Sequence, residues 1–206
     1  MVAGPVFAPR KRCEMSGQFS KEDVLHVRGM VEAGVFEEIN PSRLTSFASG
    51  TVACKCADGR WSIPLLTLLQ NLQRPHRQGN GVFVHTLSLH GGPLRIRPGS
   101  RANKEFNLAS AWEYELELAA TISRSLAGNK SITLLGHGPC GMAARAGMTF
   151  LETVEELVAT KRYIRMGHPD WFESIICMMH LAVDGAERVY FVNPRQFERW
   201  LIQNAA

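Results

Sequence analysis

Apolar positions along the chain switch between a helical period and short strand-like runs. Val24, Val27, Val31 and Val35 recur at helical spacing behind Ser20-Lys-Glu-Asp23, which has the form of a helix cap, and predict an amphipathic helix with one buried face. Thr51 to Cys56 predict a strand, and the chain is expected to stay extended as far as Arg60. Ile63 to Gln70 predict a helix with Pro64 in its first turn, ending near Arg74-Pro75. Val82 to Leu89 alternate and are rich in β-formers, a strand that stops at His90-Gly91-Gly92-Pro93. Leu108, Trp112, Leu116, Ala119, Ile122 and Leu126 trace a helical stripe ending at Gly128-Asn129. Ser131 to Leu135 predict a short buried strand, with a tight turn permitted by Gly136. Beyond Gly141, Phe150 to Tyr163 and Asp170 to Asp184 predict helices, the second apolar enough to be largely buried. Val189 to Val192 predict a further strand, and Pro194 to Gln203 a closing helix.

The order strand, helix, strand argues for parallel pairing through right-handed crossovers. The expected fold class is therefore α/β, with a mainly parallel central sheet of about four to five strands flanked by helices. Ligands in such sheets collect at the C-terminal ends of the strands. Residues 1–19, where Gly, Pro and basic residues dominate, are expected to form a flexible N-terminal arm, and residues 20–206 a single domain.

Composition narrows the function classes. With 206 residues, 45% hydrophobic and 20% charged, the chain has ample material for one core. No apolar run approaches the roughly 18 residues of a membrane helix, and Met1 to Met15 has no apolar segment of signal-peptide length, so a cytoplasmic protein with no membrane partner is expected. Five cysteines, an odd number, argue for a reducing compartment and against a disulfide framework. The net charge of +4 includes Arg10-Lys11-Arg12, three basic residues in a tail without aromatic interleaving or a nucleic-acid motif; no nucleic-acid partner is expected.

The candidate chemistry lies in two clusters. Thr133-Leu-Leu-Gly-His137-Gly-Pro-Cys140-Gly141 ends an apolar run with two metal-ligand types, and the small residues after Cys140 suggest a helix start that favours its thiolate. Upstream, Cys56-Ala-Asp58-Gly-Arg60 would present Cys56, Asp58 and Arg60 on one side of an extended chain. Cys56, His137 and Cys140 then form a three-ligand set that leaves one position open, the pattern of a catalytic zinc site. Cys54 shares the face of Cys56 and is an alternative ligand, but only the Cys56 register supplies Asp58 and Arg60. Cys177, in an apolar run, is expected to pack as a small hydrophobe, and Cys13 to lie exposed. His26, His76, His85, His168 and His180 lack partner spacing and are assigned structural places.

The C-x-D-x-R and H-x-x-C-G motifs together resemble those of the β-class carbonic anhydrases, and the resemblance runs from about Thr51 to Asn193. It implies that Zn2+ is held by Cys56, His137 and Cys140, and that zinc-bound hydroxide hydrates carbon dioxide reversibly to bicarbonate. It also implies Asp58 and Arg60 as the catalytic pair, with Asp58 able to become a fourth ligand in a closed state. A homodimer or dimer of dimers is implied as well. The R-N-A-G-N-like turn of the family and its glutamine upstream of the first cysteine are absent; His90, Gly91 and Gly92 stand where the pocket turn is expected. Two other readings share these residues: a hydrolase of a related heterocumulene, carbonyl sulfide or carbon disulfide, and a non-catalytic zinc domain. His90 is a candidate proton carrier, and Arg95, Arg97 and Arg101 form either an anion-attracting or a solvated basic loop.

Overall fold

The computed structural model describes residues 19–40, 50–76, 83–104 and 107–204. Arg10 to Arg12, Cys13 and nearly all of the expected arm lie outside them, as does Val82 at the start of the expected second strand. Among the described residues, six α-helices and six strands follow one another as α1 (Lys21–Glu32), β1 (Phe36–Glu38), β2 (Thr51–Cys56), α2 (Gly59–Gln73), β3 (Val84–Leu89), α3 (Ala109–Ala127), β4 (Ser131–Gly138), α4 (Gly141–Arg145), α5 (Phe150–Gly167), β5 (Ser174–Val183), β6 (Ala186–Val192) and α6 (Pro194–Asn204). The strands form one sheet in the order β1-β6-β5-β4-β2-β3. β3, β2, β4 and β5 pair in parallel, while β6 is antiparallel to both β5 and β1. The expected α/β class is what the chain adopts, with six strands rather than four or five.

Local signals explain most boundaries. Ser20 caps α1 through a reciprocal box with Asp23, in which the Asp23 N–H donates to Ser20 Oγ and the Ser20 N–H to Asp23 Oδ2, each at 3.0 Å. Thr149 and Glu152 repeat that device at α5. Gly128, in the left-handed region, closes α3 where expected. Two hydrophobic stripes differ in detail. Val31 is exposed and Val27 with Met30 provide the buried face of α1; Ile122 is exposed while Ala120 and Ser123 are buried.

One element is corrected outright. Residues 174–183, expected inside a helix, form β5, a ten-residue strand between β4 and β6. A strand covered on both faces carries a continuous apolar run rather than an alternating one, so Ile175 to Met179 has no period that separates it from a buried helix. Asp184 and Gly185, both with positive φ, make the two-residue turn from β5 into β6.

The sheet has two unequal coats. On one face α2 packs Trp61, Leu65, Leu69 and Leu72 against Ala53, Leu135 and Met178. On the other, α1, α3, α5 and α6 bury Trp112, Leu116, Val154, Leu157, Phe197 and their neighbours against Val52, Cys54, Ile132, Leu134 and Cys177. Every residue of β4 is buried. Replacing Leu134, which has no exposed surface, by Ala is expected to cost about 2–5 kcal/mol in urea denaturation. An unchanged midpoint would contradict the central position of β4.

Candidate metal centre

β2 pairs with β4 in the register Val52 to Ile132 through Lys55 to Leu135, so their C-terminal ends finish side by side. β3 and β4 lie on opposite flanks of β2 although they follow it in sequence, so the chain reverses its direction of travel across the sheet between β2 and β4. That is where open α/β sheets leave a crevice. Cys56 ends β2, His137 is the penultimate residue of β4, and Cys140 is the N-cap of α4 after a cis Gly138-Pro139 bond. The Cys56 and Cys140 sulfurs and a His137 ring nitrogen lie within 4.8 Å of one another.

The environment of these three atoms fits a metal. His137 is 4% exposed, and neither ring nitrogen has a partner of normal hydrogen-bond geometry. A buried imidazole left so is costly unless it serves as a ligand. Cys140 is buried and Cys56 half-buried. Hydrogen bonding from the Cys140 thiol, helped by the nearby His137 ring and by the Gly91 N–H at 3.2 Å, outweighs burial and lowers the Cys56 pKa to about 3. Cys140 is pushed upward, chiefly because its proton bridges to Cys56 and secondly by burial. Two soft sulfur donors with one imidazole suit zinc among common metals.

Asp58 and Arg60 do not lie on an extended chain. β2 stops at Cys56, Asp58 caps α2, and Arg60 is the second residue of that helix. The pair forms nonetheless, by a shorter path. Arg60 donates through Nε to Asp58 Oδ1 at 3.0 Å and through Nη2 to Oδ2 at 2.6 Å, while its backbone N–H caps onto Oδ1 at 3.1 Å. The side-chain hydrogen bonds of Arg60, then its backbone N–H and its charge, hold the Asp58 pKa at about 2 against some burial. The guanidinium also lies 5.4 Å from the centroid of the Trp61 ring. The helix begins four residues before Ile63, which places Pro64 inside it rather than in its first turn.

The expected pocket residues separate in role. His90 lines a cavity of about 670 Å3 together with Cys56, Asp58, Arg60, Arg95 and Arg145. Gly91 and Gly92 support the site instead. Gly91 donates to the Cys56 sulfur, and a side chain on Gly92, which has φ +49°, would meet the Cys56 nitrogen and Lys55 carbonyl carbon at 2.5 Å. Of the arginines that follow, Arg101 stays exposed and Arg95 is buried. Arg97 forms a two-bond pair with buried Glu156, Arg101 reaches Glu152 and the Gly147 carbonyl, and Arg95 is 8% exposed. A second cavity, of about 440 Å3, reaches His137 and Cys140 from the α1 side past Phe19, Met148 and Phe150.

Three neighbours of the cluster had no signal in their spacing. His180 is opposite His137 in the β4–β5 register, and Trp61 meets the His180 ring edge-on at 4.4 Å. Lys55, 5% exposed, lies under the Cys56 carbonyl. Only after β5 is recognised as a strand beside β4 does His180 become a site neighbour. His168 keeps its structural place, stacked on Trp171 and bonded to Glu113. Cys54 is fully buried in the core, where burial raises its pKa, and burial pushes Cys177 up to about 12.

In metal-free protein Cys56 is expected to be alkylated by iodoacetamide at pH 6, while Cys54 and Cys177 stay unmodified. Cys140→Ala removes the largest contribution to the low Cys56 pKa, so alkylation at that pH should slow as the Cys56 pKa rises. Peptide mass mapping against time checks both statements. Equal rates in the two proteins would refute the Cys140 contribution.

No family model and no curated protein matches the sequence. Among solved structures, the chain is similar to a carbonic anhydrase from Streptococcus mutans at 17% identity, with 85% of this chain and 99% of that one covered and a TM-score of 0.39. It is similar to the β-carbonic anhydrase CafA of Aspergillus fumigatus at 12% identity, covering 89% and 94%, with a TM-score of 0.35. A carbonic anhydrase from Glaciozyma antarctica is 15% identical, covering 87% and 99%, with a TM-score of 0.35. With its Cys-His-Cys cluster and bound Asp-Arg pair, the chain resembles a divergent β-class carbonic anhydrase.

Proposed function

We propose that the chain holds one zinc ion through Cys56, His137 and Cys140 and hydrates carbon dioxide reversibly to bicarbonate. The observation that carries this reading is the convergence of three ligand atoms within 4.8 Å, one on an imidazole with no hydrogen-bond partner, beside a cavity lined by Asp58 and Arg60. Zinc bound there supplies Lewis acidity and a water acidified toward neutral pH, and two thiolate ligands temper both effects. The chain's own residues supply direction. The Asp58 carboxylate accepts a hydrogen bond from the reacting oxygen and turns a lone pair toward the substrate carbon. Arg60 keeps that carboxylate ionised and in place through its two parallel bonds. While Arg60 holds it, Asp58 is not available as a ligand, which supports an open coordination position over a non-catalytic site closed by Asp58.

The pair also sets an acid limit. Because the Asp58 pKa is lowered when folded, the stabilisation it contributes is present above the ordinary carboxylate range and is lost as pH falls toward about 2. We place the activity in a reducing compartment such as the cytoplasm, since Cys56 and Cys140 must stay free to ligate. The proposed assembly is a homodimer. Ile176, Ala182, Val189 and Phe191 are only partly buried on the face coated by α2, and Leu25 on α1 is exposed.

Stopped-flow hydration of carbon dioxide with parallel metal analysis tests the reading. Cys140→Ser should lose its zinc; undiminished zinc would sink the ligand assignment. Asp58→Asn and Arg60→Ala should each lower turnover roughly tenfold or more with zinc retained, and the double variant should be little worse than either, as residues that act together are not additive. Losses that multiply would exclude a joint role. Solution mass is expected to be twice that of the chain, and an active monomer would refute the assembly.

A further inference from the structure

Lys55 is a charged residue buried at the end of β2, and the reading above gives it no task. Its side chain shares the α2-facing side of the strand with Ala53, and it is only 5% exposed. An ammonium offers three donors. Lys55 Nζ donates to Ser62 Oγ at 2.7 Å, Ser88 Oγ at 3.1 Å and the Cys56 carbonyl at 3.4 Å. All three acceptors are neutral. Burial disfavours the ammonium and the neighbouring Cys56 thiolate favours it, while the three hydrogen bonds fix where it sits between three elements of the fold.

The geometry leads to Asp58. Ser62, in the first turns of α2, accepts from Lys55 and donates its own hydroxyl hydrogen to the Asp58 carbonyl at 3.1 Å, which also accepts from the Trp61 N–H at 3.3 Å. The intervening Ala57 N–H is bound to the Leu89 carbonyl at 3.0 Å. Between Cys56 and Asp58, the Cys56 carbonyl, the Ala57 N–H and the Asp58 carbonyl are therefore held by the Lys55 ammonium, by β3 and by α2 respectively. Lys55 joins the three elements at one atom.

We infer that Lys55 and Ser62 are positioning residues for Asp58: the ammonium holds Ser62 Oγ, the hydroxyl holds the Asp58 carbonyl, and the direction of the Asp58 carboxylate relative to Cys56 is thereby fixed. The catalytic consequence rests on the proposed carbon dioxide hydration. The geometric content does not, since it concerns where Asp58 points whatever the substrate. Loss of the Ser62 hydroxyl leaves the Asp58 carbonyl with its longer bond alone and lets the carboxylate leave Arg60 for the metal.

The test uses the full chain with metal bound, in four forms: unaltered, Ser62→Ala, Lys55→Met and the double variant. Ser62→Ala is expected to lower kcat roughly ten- to hundredfold, the scale on which small misplacements act, with KM and zinc content little changed. Ser62→Thr, which keeps the hydroxyl, should recover most of the rate. The double variant should be no slower than Lys55→Met. Full kcat in Ser62→Ala, or losses that multiply, would overturn the inference, and if Lys55→Met does not fold the Ser62 variants decide alone. If the unaltered protein fails to hydrate carbon dioxide, the functional reading falls and the inference is read from the cobalt(II)-loaded protein. There Ser62→Ala should shift the visible bands as Asp58 enters the coordination sphere, and adding Asp58→Asn should abolish the shift. Unshifted bands would overturn it.

Discussion

The parallel pairing of β2 with β4 is the constraint on which the site depends. Cys56 and His137 are distant along the chain, and no local preference brings them together. The ladder from Val52–Ile132 to Lys55–Leu135 does so. A one-residue slip would send each side chain of β2 to the opposite face, and that register is secured by burial on both sides. Ala53 must meet α2 and Leu135, while Val52 and Cys54 must meet the larger core. Inside the sheet the Thr51 and Thr133 hydroxyls, 2.9 Å apart, add a polar check on the same alignment. Core packing thus fixes the distance between the two halves of a candidate metal centre.

Around that alignment, backbone groups and charges are arranged to favour a thiolate. The turn after β3 approaches the end of β2 so closely that Gly92 has no room for a side chain, and this approach aims the Gly91 N–H at the Cys56 sulfur. Cys140, on the far side, brings its sulfur within 4.8 Å of the same atom. A thiolate at Cys56, an imidazole without a partner and a second thiol in reserve make a pocket organised before any metal arrives. The organisation extends outward. Arg60 holds Asp58, Lys55 holds Ser62, and the arginines after the glycine turn anchor it to α5 through Glu152 and Glu156.

Sequence by itself determined the pieces whose meaning is local. C-x-D-x-R and H-x-x-C-G single out Cys56, Asp58, Arg60, His137 and Cys140. Capping residues, a glycine helix exit and β-rich runs located most elements around them. The error at residues 174–183 has a physical cause, because β5 is covered on both faces and carries no alternation. The Asp184-Gly185 turn that follows was the available sign of a hairpin. Extending β2 to Arg60 failed for a different reason: aspartate is a poor strand former and a good helix N-cap, so the local signal at Asp58 favoured the helix that Trp61 and Leu65 pack onto the sheet. Tertiary structure alone decided that His180 stands beside His137, that Lys55 meets Ser62 and Ser88, and that the Gly91 N–H points at the Cys56 sulfur. Those outcomes depend on strand register, on burial and on hydrogen bonds between residues remote in the chain, and none of these is a property of a residue and its neighbours in sequence.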